Sequence, residues 1–87
     1  MERNLIIKNK YGLHARPAAK FVEVASHYNA EVTLSKDDVE VNGKSIMGVL
    51  MLAAEKGHEV VLKTTGKDAL PLADALTALL EGKFDED

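Results

Sequence analysis

Six residues near the start of the chain, Gly12-Leu13-His14-Ala15-Arg16-Pro17, mark where one backbone period gives way to another. Upstream, Leu5-Ile6-Ile7 reads as a short strand with Leu5 and Ile7 on one face. Downstream, Ala18, Phe21, Val22 and Ala25 recur at helical spacing and predict a helix from Ala15 or Arg16 as far as His27. Asn9-Lys10-Tyr11-Gly12 between them is turn-like, and Gly12 lets the chain turn tightly. Pro17 suits the first helical turn, where a missing N–H costs nothing, and it biases Arg16 away from helical dihedrals. The N-cap is therefore His14 or a neighbour. A fold built on this junction must run a strand through a short loop into a helix, with a histidine and an arginine at the turn.

The rest of the chain supplies the partners for that unit. Ala30, Val32 and Leu34 alternate with polar residues, Lys36-Asp37-Asp38 is a turn, and Val39 and Val41 continue the alternation, so a hairpin is expected before Asn42-Gly43. Ser45 opens a second helix expected from Ile46 to Ala54, with Val49 and Leu52 on its core-facing stripe. Residues 59–65, Glu-Val-Val-Leu-Lys-Thr-Thr, are rich in β-branched side chains and read as a fourth strand. After the Gly66-Lys67 turn, Asp68 is placed to cap a last helix carrying Leu70, Ala73, Leu76, Leu79 and Leu80, which Gly82 stops. The acidic end, Phe84-Asp85-Glu86-Asp87, is expected to fray. The order is β-α-β-β-α-β-α: an α+β, two-layer domain spanning residues 1–87, with its helices on one face of the sheet.

Composition narrows the function classes. With 46% hydrophobic and 29% charged residues the chain is a globule rather than a disordered segment. It has no cysteine, hence no disulfide and no thiolate chemistry, which fits a reducing cytoplasm. No apolar run nears the ~20 residues of a membrane span, and Met1-Glu2-Arg3-Asn4 does not open a signal peptide. A net charge of −3 without a Lys/Arg block makes nucleic acid an unsuitable partner. There is no phosphate-binding P-loop, and His27 and His58 make no metal-ligand spacing with His14, so no metal or cofactor is expected.

The His14 junction carries the chemistry. The first N–H groups of a helix have no intrahelical partner and the dipole is positive there, so a helix start beside His14 and Arg16 joins a nucleophilic imidazole to a guanidinium and amide donors. Those parts suit the acceptance of a phosphoryl group. Gly12-Leu13-His14-Ala15-Arg16-Pro17-Ala18 resembles the active-site signature of HPr, the histidine-containing phosphocarrier family of the bacterial phosphoenolpyruvate:sugar phosphotransferase system. Lys44-Ser45-Ile46-Met47-Gly48 resembles that family's regulatory serine motif, and the two occur in the family's order and spacing over nearly the whole chain.

The resemblance implies an open-faced sandwich with an antiparallel sheet in the order 1-4-2-3. It implies a carrier, not an enzyme. His14 takes a phosphoryl group on Nδ1 from phospho-enzyme I, itself charged by phosphoenolpyruvate, and hands it to enzyme IIA domains during sugar uptake. Arg16 is then the charge beside the phosphate, and Gly12, Ala15, Pro17 and Ala18 form the supporting loop. The P–N bond of phosphohistidine is labile, as a relay requires. Further partners brought in by the resemblance are a serine kinase and phosphorylase acting on Ser45, and a transcriptional regulator.

The second helix adds an observation from the residues themselves. Ile46, Met47, Val49, Leu50, Met51, Leu52, Ala53 and Ala54 are apolar nearly all the way round, more than a short helix on one side of a small sheet can bury. HPr proteins dock partners through this helix and the first, so Ala19, Lys20, Ile46, Met47, Leu50 and Met51 are the expected docking set on a monomer. Ser45 is a natural N-cap, and a phosphate there sets negative charge beside the apolar set. Two other readings stand beside the sugar-system carrier: a nitrogen-branch paralogue of the same family, and an α+β module that holds an anion at the His14 loop without a covalent bond.

Overall fold

The computed structural model describes residues 1–82, so the expected fraying of residues 84–87 lies outside the described part. Its elements are β1 (Glu2–Ile6), α1 (Ala15–Ala25), β2 (Glu31–Lys36), β3 (Val39–Asn42), α2 (Ile46–Met51), β4 (Glu59–Thr65) and α3 (Ala69–Glu81). The four strands form one antiparallel sheet in the order β1-β4-β2-β3, as the resemblance implied. Register follows the alternation of apolar residues. Leu5 lies opposite Val60, and Leu34 lies opposite Leu62 on one side and Val41 on the other. A one-residue slip in any pair would turn these side chains to water, so burial fixes the pairing.

The helices cover that apolar face, leaving the other open. α3 packs on β1 and β4, and α1 packs against both α2 and α3. Phe21 and Ala25 of α1, Val49 of α2, and Leu72, Leu76 and Leu80 of α3 meet the strand residues Val32, Leu34, Val60 and Leu62 in one core. Thr64 is the buried polar residue of this face in β4; its Oγ1 donates to the Ala69 carbonyl at 2.7 Å, satisfying the hydroxyl at the start of α3. Arg3 shares the core-facing side of β1 at its margin and reaches Asp74 (2.8 Å) and Thr77 (3.1 Å) of α3.

Four expectations change. α1 ends at Ala25, not at His27: His27 N and Tyr28 N bond to carbonyls three residues back, and Ser26 Oγ donates to Val22 O, so the chain tightens out of the α-helix. α2 ends at Met51 rather than Ala54, because Ala53 takes a left-handed conformation (φ 52°), an αL termination that needs no glycine here. Leu70 is exposed, and Leu72 joins Ala73, Leu76 and Leu80 on the buried stripe of α3. Asp68 precedes α3 but makes no capping bond; its Oδ2 instead accepts from Asn29 N at 2.7 Å, while Asp68 N donates to Asn29 O at 3.1 Å. That clasp fastens the turn after α1 to the start of α3.

Candidate functional site

The loop between β1 and α1 is held by its buried residues, and the exposed ones include the candidate site groups His14 and Arg16. Asn9 is fully buried, and its Nδ2 donates to the Gly12 carbonyl across the turn. Gly12 N donates to Asn9 O at 3.2 Å, and Leu13 N donates to Ala54 O at 2.8 Å. Gly12 has φ +68°, and a Cβ there would press on the Ala54 carbonyl oxygen and sit 2.7 Å from Glu55 Cα. Only glycine combines that backbone angle with so close an approach. Leu13 is buried, and the loop is thereby fixed to the segment that follows α2.

His14 is the N-cap of α1, with extended backbone (φ −79°, ψ −170°) and no capping bond from its side chain. Its carbonyl accepts from Ala18 N at 2.9 Å, closing the first helical turn. The N–H groups of Ala15 and Arg16 come at the helix start, where no intrahelical carbonyl is within reach. Pro17 has no N–H, and the Ala18 N–H is committed to His14 O, so the amide donors of the expected loop come down to these two. Gly12, Pro17 and Ala18 are buried and shape the loop; His14, Ala15 and Arg16 are exposed. Imidazole, guanidinium and two amide groups therefore occur within three consecutive residues at the positive end of an eleven-residue helix.

Beside His14 lies a residue to which the sequence reading gave no role. The Tyr11 ring meets the imidazole edge to face, with centroids 5.8 Å apart and planes at 84°. Lys10 Nζ lies 5.2 Å from the centre of the same ring. The signal in the sequence was only adjacency, an aromatic next to the required Gly12. Asn9 was equally silent, because a lone asparagine in a turn gives no hint of full burial.

The apolar excess of α2 is divided by the fold. Met47 and Met51 are 69% and 73% exposed and Ile46 is exposed with them, whereas Val49 and Leu52 are buried as expected. Leu50 departs from the expected docking set: it is half-buried and packs against the core. Ala19 and Lys20 are exposed on α1, where Lys20 Nζ lies 3.3 Å from Glu23. Ser45 is the N-cap of α2, its Oγ accepting from Gly48 N at 3.0 Å. The helix is six residues long, which separates Ser45 from the Met51 end by about 9 Å. The Met51 end leads to Ala54, against which the His14 loop is pinned.

The other two histidines are not at the start of α1. His27 is exposed beyond the end of α1, and His58 Nδ1 accepts from Glu55 N at 2.9 Å. Among the described residues, no group of three or more His, Cys, Asp or Glu side chains could hold a metal ion. No helix there is long and apolar enough to cross a membrane.

Comparison with known proteins agrees along the whole length. Residues 1–82 match the family described as "PTS HPr component phosphorylation site". A phosphocarrier protein HPr of Neisseria meningitidis serogroup A is 48% identical over 86 residues, 99% of this chain and 97% of that protein. A phosphocarrier protein NPr of Shewanella violacea is 41% identical over 86 residues, 99% of this chain and 94% of that one. The crystal structure of HPr from Thermoanaerobacter tengcongensis superposes with a TM-score of 0.96 at 45% identity, covering 100% of this chain and 98% of that one.

Proposed function

From the premise that the chain belongs to the HPr family of the phosphotransferase system, we propose that His14 is its phosphoryl acceptor and that residues 1–87 act as one cytoplasmic carrier domain. The relatives are named phosphocarrier proteins, and the chain is a carrier of phosphoryl groups in that system rather than an enzyme. The observation that carries the assignment of the site is the position of His14: an exposed imidazole at the N-cap of α1, followed by the N–H groups of Ala15 and Arg16.

The neutral imidazole attacks phosphorus of phospho-enzyme I, forming a P–N bond as the bond to the donor breaks. The added dianion then lies at a helix start, where the two amides, the dipole and Arg16 favour it. That stabilisation comes from an exposed site in contact with water, so it stays modest and the group can be passed to an enzyme IIA domain. Ile46, Met47 and Met51, with Ala19 and Lys20, form the docking surface, and Leu50 supports it from below. Phosphate on Ser45 would stand at the N-terminus of α2, at the opposite end of that helix from Met51, and would act by desolvation of charge against a docked partner. A serine kinase, its phosphorylase and a transcriptional regulator belong to this regulatory branch of the proposal.

The likeness to the Shewanella NPr supports a second reading, a nitrogen-branch carrier. A reconstituted relay tests both. Purified protein is charged with phosphoenolpyruvate and enzyme I, then offered sugar-specific and nitrogen-branch IIA domains. Transfer to a sugar IIA supports the first reading, transfer to the nitrogen-branch IIA alone supports the second, and retention of ligand without a covalent bond refutes both.

A further inference from the structure

Tyr11 is large, aromatic and 64% exposed, yet the residues that follow it, Gly12 and Leu13, are buried and fixed. Asn9, Gly12 and Leu13 are tied to one another or to Ala54, so the backbone is anchored on both sides of Tyr11. On that backbone the Tyr11 ring is turned away from the core and meets the His14 imidazole at 5.8 Å in a T-shaped pair. Edge-to-face rings within 4.5–7 Å attract one another through their quadrupoles. Lys10 Nζ, 5.2 Å from the ring centre, gives Tyr11 a second partner and helps hold it in place.

We propose that Tyr11 is a positioning residue for phosphoryl transfer: its ring restricts the rotamers of His14 and so presents the attacking nitrogen in one orientation. The proposal rests on His14 being the acceptor. An exposed N-cap histidine has three χ1 wells and two broad χ2 orientations. Confining it to one arrangement raises the reactive fraction by at most about sixfold, and a partial restraint gives about two- to threefold. A restraint on the imidazole is read on the chemical step, because it changes the fraction of His14 oriented for attack.

The test compares wild type, Tyr11→Ala and Tyr11→Phe by two measurements. One is the kcat and KM for phosphorylation by enzyme I with phosphoenolpyruvate. The other is the order of the His14 ring by NMR, from ¹³C relaxation and the couplings that report χ1. Tyr11 is exposed, so the variants fold. Tyr11→Ala is expected to lower kcat about two- to sixfold with KM nearly unchanged and to loosen the imidazole, whereas Tyr11→Phe, which keeps the ring, restores both. Equal kcat and equal ring order in wild type and Tyr11→Ala overturn the positioning role, as does a Tyr11→Phe variant as slow as the alanine. A wild type that takes no phosphoryl group overturns the acceptor assignment with it, so the two failures are told apart by the wild-type arm.

Discussion

Replacing Gly12 with alanine tests whether the His14 loop is fixed by backbone packing. The new methyl group would press on the Ala54 carbonyl oxygen and lie 2.7 Å from Glu55 Cα, both main-chain atoms that cannot swing aside. Holding alanine at φ +68° costs about 1–2 kcal/mol, and displacing a packed backbone typically adds about 1–3 kcal/mol. The Leu13 N–Ala54 O bond is strained in the process, a further ~1 kcal/mol. Alanine's smaller unfolded-state entropy offsets about 0.5 kcal/mol of this. The expected loss is about 3–5 kcal/mol, a large part of the roughly 4–13 kcal/mol available to a chain of this size. Gly57 is the control, because it too has positive φ (91°) but nothing lies within 4 Å of its Cβ position. Gly57→Ala should cost about 1 kcal/mol, the conformational part alone. Urea unfolding followed by circular dichroism measures both. If the two variants differ by less than ~1 kcal/mol, the packing of the loop on the Ala54–Glu55 backbone is not what holds the site.

Further expectations concern single contacts. Ser45→Ala removes the cap on Gly48 N and should cost about 0.5–2 kcal/mol by urea unfolding while leaving the rate of His14 phosphorylation near wild type; Ser45→Asp should slow that phosphorylation, and equal rates for all three would leave Ser45 a cap alone. Arg16→Ala should slow transfer in both directions with a stability change within about 0.5 kcal/mol, and unchanged rates would remove Arg16 from the site. Met47→Ala, at an exposed position, should leave the unfolding midpoint in place and weaken enzyme I binding in calorimetry; unaltered affinity would take Met47 out of the docking surface. Asp68→Ala should destabilise by about 1 kcal/mol in urea through the lost bond to Asn29 N, and Asp68→Asn, which keeps an acceptor oxygen, should recover part of that loss; an alanine variant as stable as wild type would show that the clasp contributes nothing.

The strands were legible because each has one buried face. Val32 and Leu34, or Val60 and Leu62, alternate with polar neighbours or half-buried ones, and such a period leaves a single register. The order of strands was not contained in that alternation; it came from the family resemblance. Helix ends were read too long. Nothing in Ala53 signals a left-handed residue, and the polar run after Ala25 is as compatible with one more helical turn as with the tightened turn that forms. Leu70 looked like core because its spacing to Ala73 is helical, yet the buried side of α3 runs through Leu72, Leu76 and Leu80 with Ala73 at its edge, and Leu70 lies beyond that edge. The placement of His14, Arg16 and Pro17 at the start of α1 was legible because helix starts obey local rules. The surroundings of Asn9 and Tyr11 were not, since they depend on what the fold brings against them: burial in one case, the imidazole in the other.

The measurement closest to the central claim is the location of the phosphoryl group. Protein labelled with ¹⁵N in its histidines is charged by enzyme I and phosphoenolpyruvate and examined by ³¹P and ¹⁵N NMR. A phosphorus coupled to the Nδ1 of His14, with His27 and His58 unchanged, is the result expected. Coupling to either of those histidines, or phosphate arriving on a His14→Ala variant, would contradict it.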